Sequence, residues 1–353
     1  MDFEFGPLGV RTVFGAGKAE SLPAEVRRLG ASRVLVCGST GARARAAPLI
    51  DALGDLCAGV FDGARPHCPE PTVDAALAMF GAVDADGVVA VGGGSTIGLG
   101  KYIRVRTGRP LVVVPTTYSG SEQTSIYGIK IGDQKRTWND PGCMASTVLY
   151  DPLLTLSLSP HHTATSGMNG LAHCVEALYP ARPNPVAATL AEAAIGAFAT
   201  GLPASVARPD DIAARTLALY GGFLGGLLVG LAGIAIHHRI CHVLGGLYDI
   251  PHGESNAVIL PHAAAFNAPA APDAMAAIRR AMAAADAPAA LYDLARRMGA
   301  PTDLKSLGMP ADGLVRCAED TVRTLKYNPR PADRDGVLAL LRDAYEGRRP
   351  GER

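Results

Sequence analysis

The sequence carries no net charge, no Cys-x-x-Cys pair and no basic run, and each absence closes off a class of function. Lys+Arg and Asp+Glu number 33 each, so no long-range field draws the chain to nucleic acid or to an anionic membrane surface. The seven cysteines, Cys37, Cys57, Cys68, Cys143, Cys174, Cys241 and Cys317, are an odd and scattered set. That argues against a disulfide framework or a cysteine zinc site and reads as reduced thiols in a cytosol. The opening stretch, MDFEFGPLGVRTVFGAGKAE, has acid early and lacks a basic start followed by an apolar core. No secretion signal is expected, and the expected location is the cytoplasm.

Long uncharged runs are also scarce, with one exception. Residues 216–236, TLALYGGFLGGLLVGLAGIAI, cover 21 positions without a charge, six of them glycine. The spacings Gly221/Gly225 and Gly222/Gly226/Gly230 give a helix a groove of small residues, as helices that approach closely require. A single such segment running directly into a polar, histidine-bearing stretch reads as a buried helix rather than a membrane span.

What is present suits an enzyme of two domains, since 353 residues exceed one ordinary core and 48% of them are hydrophobic. Strand-like and helix-like segments alternate at first: VRTVFG, a helix within AGKAESLPAEVRRLG, Arg33–Cys37, a helix ARAAPLIDAL, a weak strand near CAGVFDG and a helix PTVDAALAMFGAV. Such alternation predicts a parallel sheet covered on both faces. From about Leu153 helix formers dominate. The expected fold is therefore an α/β dinucleotide-binding domain, residues 1–153, followed by an all-α domain, residues 154–353, with the chemistry in the cleft between them.

The clearest local signal lies at Asp86–Gly98, where an apolar strand enters Gly92, Gly93, Gly94, Ser95 and Thr96 and then a helix. Glycines there let the backbone approach a pyrophosphate, and the helix start supplies free N–H groups and a positive dipole end. The next apolar strand, Pro110–Pro115, leads to a hydroxyl-rich loop, TTYSGSE, with Thr116, Thr117, Ser119 and Ser121 as candidate contacts to ribose or nicotinamide. Both loops sit where open α/β sheets bind ligands, at the carboxyl ends of strands.

The second half carries histidines at chemically useful spacings. Asn169 and His173 are four apart on one expected helix, and His238 and His242 four apart on another, so each pair shares a face. Gly245 and Gly246 are expected to end the second helix. The turn Pro251-His252-Gly253 is then expected to return a third imidazole from a new loop. His161, His162 and His262 are read as structural.

These motifs, GGGST, PTT-loop-GSE, NxxxH, HxxxH and PHG in this order, resemble the iron-containing alcohol dehydrogenase family, whose fold is that of dehydroquinate synthase. Within it, PTTYSGSEQTSIYGI and HHRICHVLGG are similar to the maleylacetate reductase branch. That branch uses NADH or NADPH to reduce the carbon–carbon double bond of maleylacetate to 3-oxoadipate in the breakdown of aromatic compounds. The resemblance implies a homodimer and a small dicarboxylate substrate, with no nucleic-acid or membrane partner. It places the family's metal ligands on Asn169, His173, His238 and His252, and its histidine beside the nicotinamide on His242. The family pattern has Asp where this chain has Asn169, which removes the anionic ligand, so no metal is expected. The family's ribose-binding Asp corresponds to Gly38, which implies that NADPH is accepted beside NADH.

Reduction of an enone spreads negative charge into an enolate, for which imidazole donors at His173, His238 and His252 are expected to serve, with His242 as general acid. Tyr118, Tyr127, Tyr327 and Arg330 are candidate substrate contacts. The alternatives are a metal-dependent alcohol dehydrogenase of the same family, a non-redox lyase on the same fold, and a binding protein without activity.

Overall fold

Valine-rich runs that end at glycine, serine or proline form three adjacent strands, Val34–Ser39, Gly87–Gly92 and Leu111–Pro115, of a six-stranded sheet, in a computed structural model that describes residues 9–41, 46–132 and 134–352. The strands are β1 (Arg11–Phe14), β2 (Val34–Ser39), β3 (Cys57–Ala64), β4 (Gly87–Gly92), β5 (Leu111–Pro115), β6 (Ile126–Ile131), β7 (Gln134–Asn139) and β8 (Thr147–Tyr150). Six of them pair in parallel in the order β1-β8-β5-β4-β2-β3, while β6 and β7 make a separate antiparallel hairpin. Helices α1 (Leu22–Arg28), α2 (Ala47–Leu53), α3 (Glu70–Ala82) and α4 (Gly94–Thr107) alternate with the strands, as a parallel sheet requires. Residues 44 and 45, the start expected for the helix ARAAPLIDAL, lie outside the described residues.

The sheet core is aliphatic. Val34, Val36, Val89, Val91, Val112, Val114 and Leu149 pack against Leu22, Val26, Leu49 and Leu53 from the helices. Helix α4 lies close on the strands because Gly100 has no side chain: a Cβ there would fall 2.9 Å from Leu111 and 3.0 Å from Ala90. Two elements were not expected from the sequence, the hairpin β6–β7 and strand β8. The strand is only four residues long and gains its identity by pairing with both β1 and β5.

One compact unit is Pro7–Ser157, and the other contains Leu158–Arg353. The second is helical: α5 (Pro160–Glu176), α6 (Pro185–Ala207), α7 (Ile212–Ala232), α8 (Ile236–Tyr248), α9 (His252–Asn267), α10 (Pro272–Met282), α11 (Ala287–Arg297), α12 (Gly313–Thr324) and α13 (Arg334–Glu346). Polar caps start several of them. Ser159 Oγ accepts from His162 N–H ahead of α5, Asn184 Oδ1 accepts from Val186 and Ala187 ahead of α6, and Asp211 Oδ1 accepts from Ala214 ahead of α7. Most of the glycine-rich run is α7. A Cβ on Gly221 would meet the Phe198 ring at 2.9 Å, and one on Gly225 would meet the Gly170 carbonyl at 2.9 Å, so these glycines serve helix crossings with α6 and α5.

Within the first unit, Glu25 ties the sheet edge together. Its carboxylate accepts from Arg11 Nε (3.0 Å) and Nη2 (3.0 Å) on β1, from Arg28 Nε (2.8 Å) on α1, and from the Thr147 hydroxyl (3.4 Å) on β8. The Arg11 hydrogen bonds come first in holding the carboxyl below the ordinary carboxylate range. A depressed folded-state value contributes stability that is present above the unfolded value, about 4.3, and is lost as pH falls through the folded one. Glu25→Gln is therefore expected to lower Tm by roughly 2–4 °C at pH 7. In thermal scans the gap should close towards pH 3; an equal gap at both pH values contradicts this role.

Candidate active site

In the first unit the sheet register sets the two loops side by side. Strands β4 and β5 pair from Val88↔Leu111 to Gly92↔Pro115, so the residues after each strand emerge as neighbours. Thr116 N–H donates to the Gly92 carbonyl (3.1 Å). Contact continues at Gly93, where a Cβ would strike the Thr117 methyl at 2.9 Å. Gly92 has φ +154°, and a side chain there would meet Thr96 Oγ1 at 2.7 Å. Glycine is thus required at both positions. Gly94 opens α4 at the surface, and Gly93 before it has no side chain to cap the first N–H groups. Above Gly94 stand two hydroxyls: Ser121 Oγ and Ser119 Oγ lie 3.9 and 4.0 Å from where its Cβ would be. Ser121 Oγ is buried without a hydrogen-bond partner among the described residues.

Gly38 ends the buried part of β2, next to β4. Strand order reverses between β2 and β4, which is the point where such sheets bind dinucleotides. Val36, Cys37, Ala46, Ile50, Val60 and Val91 surround Gly38, and none of them is charged.

In the second unit three helices assemble the imidazoles. Helix α5 brings Asn169 and His173, α8 brings His238 and His242, and α9 begins with His252. The His173 and His238 rings stack with centroids 4.5 Å apart, His238 lies 6.3 Å from both His242 and His252, and the last two are 5.8 Å apart. All four expected imidazoles are one group. Two local expectations are corrected. Gly245 and Gly246 do not end α8, which continues to Tyr248 and stops at Asp249 in the left-handed region (φ +55°). His252 is on the first turn of α9, after Pro251, and not in a loop. Helix geometry tolerated the glycines because the flanking face, Ile236, Ile240, Cys241 and Leu244, is locked in the core.

Two residues that sequence reasoning passed over complete the group, Glu176 and His237. Glu176 is 2% exposed; its Oε1 accepts from His237 N–H (2.9 Å), and its Oε2 lies 2.7 Å from His238 Nδ1. The legible signal was spacing, since Glu176 follows His173 by three residues on α5 and so lies beside it. Burial raises the Glu176 pKa, and the backbone N–H groups at the start of α8 oppose that rise.

The hydrogen bonds fix the tautomers. His237 Nε2 lies 3.2 Å from the Asn256 carbonyl, which can only accept, so Nε2 carries the proton. Burial pushes the His237 and His238 pKa values down to about 3, so both rings are neutral at pH 7. His237 Nδ1 is then bare, and His238 Nδ1, 3.2 Å away, must be the N–H that Glu176 and His237 share. This leaves the buried His238 Nε2 as a bare lone pair, with no partner among the described residues. His238 is an acceptor, which revises its expected role as a donor. Burial also moves His173 well below the usual histidine value.

The other expected contacts have structural partners. Tyr118 is fully buried, Tyr127 stacks on Trp138 (5.4 Å), and the Tyr327 hydroxyl donates to the Pro180 carbonyl (3.0 Å). Arg330 donates to the Phe266 carbonyl (2.9 Å) and lies over that ring, 4.3 Å from its centroid. His161 pairs with Glu254 at 2.8 Å.

Asn169 Oδ1, His173 Nδ1 and His238 Nε2 are buried and unpartnered among the described residues, which suits a cation that prefers imidazole, such as Zn²⁺. Glu176 stands behind His238, where metal-binding histidines commonly hold a carboxylate. The ligand atoms of Glu176, His237 and His238 all lie within 4.8 Å of one another. Two of those separations, 2.7 and 3.2 Å, are hydrogen-bond lengths that leave no room for an ion between the atoms.

Histidine-selective ¹⁵N NMR at pH 7 is expected to show His238 protonated at Nδ1 and bare at Nε2. Glu176→Gln, whose amide can donate to Nδ1, is expected to populate the other tautomer. A proton on Nε2 in the unaltered protein contradicts the assignment.

Comparison with known proteins agrees with this architecture. Residues 9–152 match the family described as iron-containing alcohol dehydrogenase, and residues 163–345 match its C-terminal counterpart, the Fe-containing alcohol dehydrogenase family, C-terminal. The chain is 43% identical over 348 residues to maleylacetate reductase 1 of Cupriavidus pinatubonensis, covering 99% of this chain and 98% of that one. The crystal structure of maleylacetate reductase from Agrobacterium tumefaciens superposes with TM-score 0.95 at 41% identity, over 99% of this chain and 100% of that one. The maleylacetate reductase of Rhizobium sp. gives 0.93 at 41% identity, covering 99% of each chain. With both halves matched and relatives this similar over their full length, the chain belongs to the iron-containing alcohol dehydrogenase family and is an oxidoreductase.

Proposed function

We propose that this chain reduces the carbon–carbon double bond of maleylacetate to 3-oxoadipate with NADH or NADPH, as a step in the breakdown of aromatic compounds. The observation that carries the reading is a group of four imidazoles, His173, His238, His242 and His252, beside the neutral Asn169 in place of a carboxylate. Relatives 41–43% identical that bear the name maleylacetate reductase support it.

The Gly92–Gly94 turn and the open start of α4 would hold the coenzyme's phosphates, because backbone N–H groups and the helix dipole there favour negative charge. The hydroxyls of Thr116, Thr117, Ser119 and Ser121 serve its ribose and nicotinamide. NADH or NADPH, when bound, would supply a hydride to the carbon β to the ketone of maleylacetate. The electron pair of the double bond then moves towards the ketone oxygen as an enolate. His242 gives a proton to the α-carbon, which completes the product and leaves the oxidised coenzyme.

Enolate charge is shared between oxygen and carbon, so preorganised donors suffice to hold it. His173, His242 and His252 take that role. His238, neutral and bare at Nε2, accepts from a water or from an enol hydroxyl. A divalent cation on Asn169, His173, His238 and His252, when bound, would supply Lewis-acid polarisation of a carbonyl oxygen. The reduction proposed here does not require it. Among the described residues, those that line the hollow at Gly38 include no carboxylate to repel a 2′-phosphate, which supports use of NADPH beside NADH.

One assay tests these points together: maleylacetate reduction by exhaustively chelated protein, followed with each coenzyme. Turnover is expected to persist with both. A collapse that Zn²⁺ or Fe²⁺ restores contradicts the metal-independent route and favours a metal-dependent alcohol dehydrogenase, and a thousandfold lower kcat/KM with NADPH contradicts the reading of Gly38.

A further inference from the structure

A lysine with no part in the chemistry above is buried beneath the hydroxyl-rich loop. Lys101 is 1% exposed on α4, the helix that begins at Gly94. Its Nζ donates to the carbonyls of Ser121 (2.5 Å), Thr124 (2.7 Å) and Ile126 (2.9 Å) and to Thr124 Oγ1 (3.0 Å). The Thr124 hydroxyl in turn donates to the Ser121 carbonyl (3.0 Å). Taking an ammonium out of water is expensive, and an apolar side chain of similar volume often serves stability as well or better. Burial lowers its pKa to about 8, opposed by Cys143 and Glu122, so the group is still charged at neutral pH.

The charge is placed where the two candidate coenzyme loops must be held in register. The helix carrying Lys101 starts at the glycine turn, and the three carbonyls it binds belong to the segment that follows Thr116–Ser119. Ser121 has its carbonyl on Lys101 and its buried, unpaired hydroxyl beside Gly94. The geometry points to Lys101 as a positioning residue for coenzyme binding: its ammonium fixes the Ser121–Ile126 backbone to α4, so that the Ser119 and Ser121 hydroxyls stand over the helix start. This rests on the reading that these loops hold NADH or NADPH. Hydroxyls fixed in advance lose little freedom when the coenzyme arrives, whereas a loop without its anchor must be ordered by binding.

Lys101→Met keeps the aliphatic stem and removes the charge. It is expected to weaken NADH binding, read by fluorescence titration, about tenfold or more, or ~1.4 kcal/mol per tenfold. KM for coenzyme should rise in step, while kcat at saturating coenzyme and KM for maleylacetate change far less. Hydrogen exchange should quicken across residues 119–126 and stay slow in β4. Lys101→Arg, which keeps a cation, should fall between the two. If Lys101→Met does not fold, Thr124→Val removes one acceptor from the same ammonium and is expected to raise the NADH Kd about threefold. A folded variant whose NADH Kd stays within twofold of the unaltered protein overturns the proposal, as does an equal loss in every kinetic parameter. Failure of the unaltered protein to bind either coenzyme would instead overturn the reading of the loops.

Discussion

A carboxylate taken out of water must have its oxygens bonded, and Glu176 meets that condition only because α8 begins where it does. Its two oxygens meet the His237 N–H and the His238 ring, and Asn328 Oδ1 takes the Ile236 N–H (3.3 Å) just before them. The start of α8 is therefore capped by side chains from elsewhere in the helical unit and not by its own N-cap residue, Ala235. The carboxyl group sits at the positive end of the helix dipole, where the backbone N–H groups oppose the rise that burial imposes on its pKa. One contact thus sets the place of α8, the orientation of the His238 ring and the nitrogen that carries its proton. Move the carboxylate, and the bare Nε2 is no longer defined.

That constraint separates the imidazoles by role. His237 and His238 are buried, neutral and held in one tautomer by a chain running from the Asn256 carbonyl to Glu176. They form one wall of the group and are uncharged at neutral pH, because burial lowers both pKa values to about 3. His242, on α8, and His252, on the first turn of α9, have rings 5.8 Å apart. In the proposed reaction the proton comes from His242, on the side of the group away from that wall. In the first unit parallel strands set the glycine turn and the hydroxyl loop side by side, and Gly92 and Gly93 allow an approach that any side chain would prevent.

Much of this was legible in the sequence, and what was missed has physical causes. Strands β2, β4 and β5 are short apolar runs bounded by glycine or proline, and the carboxyl-end loops followed from them. Helical spacing joined Asn169 to His173 and His238 to His242, while the Pro251-His252-Gly253 turn signal pointed to His252 as the third imidazole. Strand β8 escaped because four residues, TVLY, have no period of their own until they are paired on both sides. Gly245 and Gly246 look like a helix end by local propensity, yet packing on one face of α8 carries the helix past them. The Glu176–His238 contact spans 62 residues, and no pattern along the chain announces which carboxylate a histidine will find. The Tyr327 hydroxyl and one Arg330 N–H donate to the Pro180 and Phe266 carbonyls, partners 147 and 64 residues away that no local pattern announces.

The central claim is that the imidazole group serves an enolate formed by hydride addition to carbon, and the fate of isotopes tests it most directly. With 4-deuterated NADH and maleylacetate in ordinary water, NMR of the product should place deuterium on the carbon β to the ketone. In deuterated water with ordinary NADH, the label should appear on the α-carbon. Deuterium on a carbinol carbon, from reduction of the ketone itself, would contradict the account.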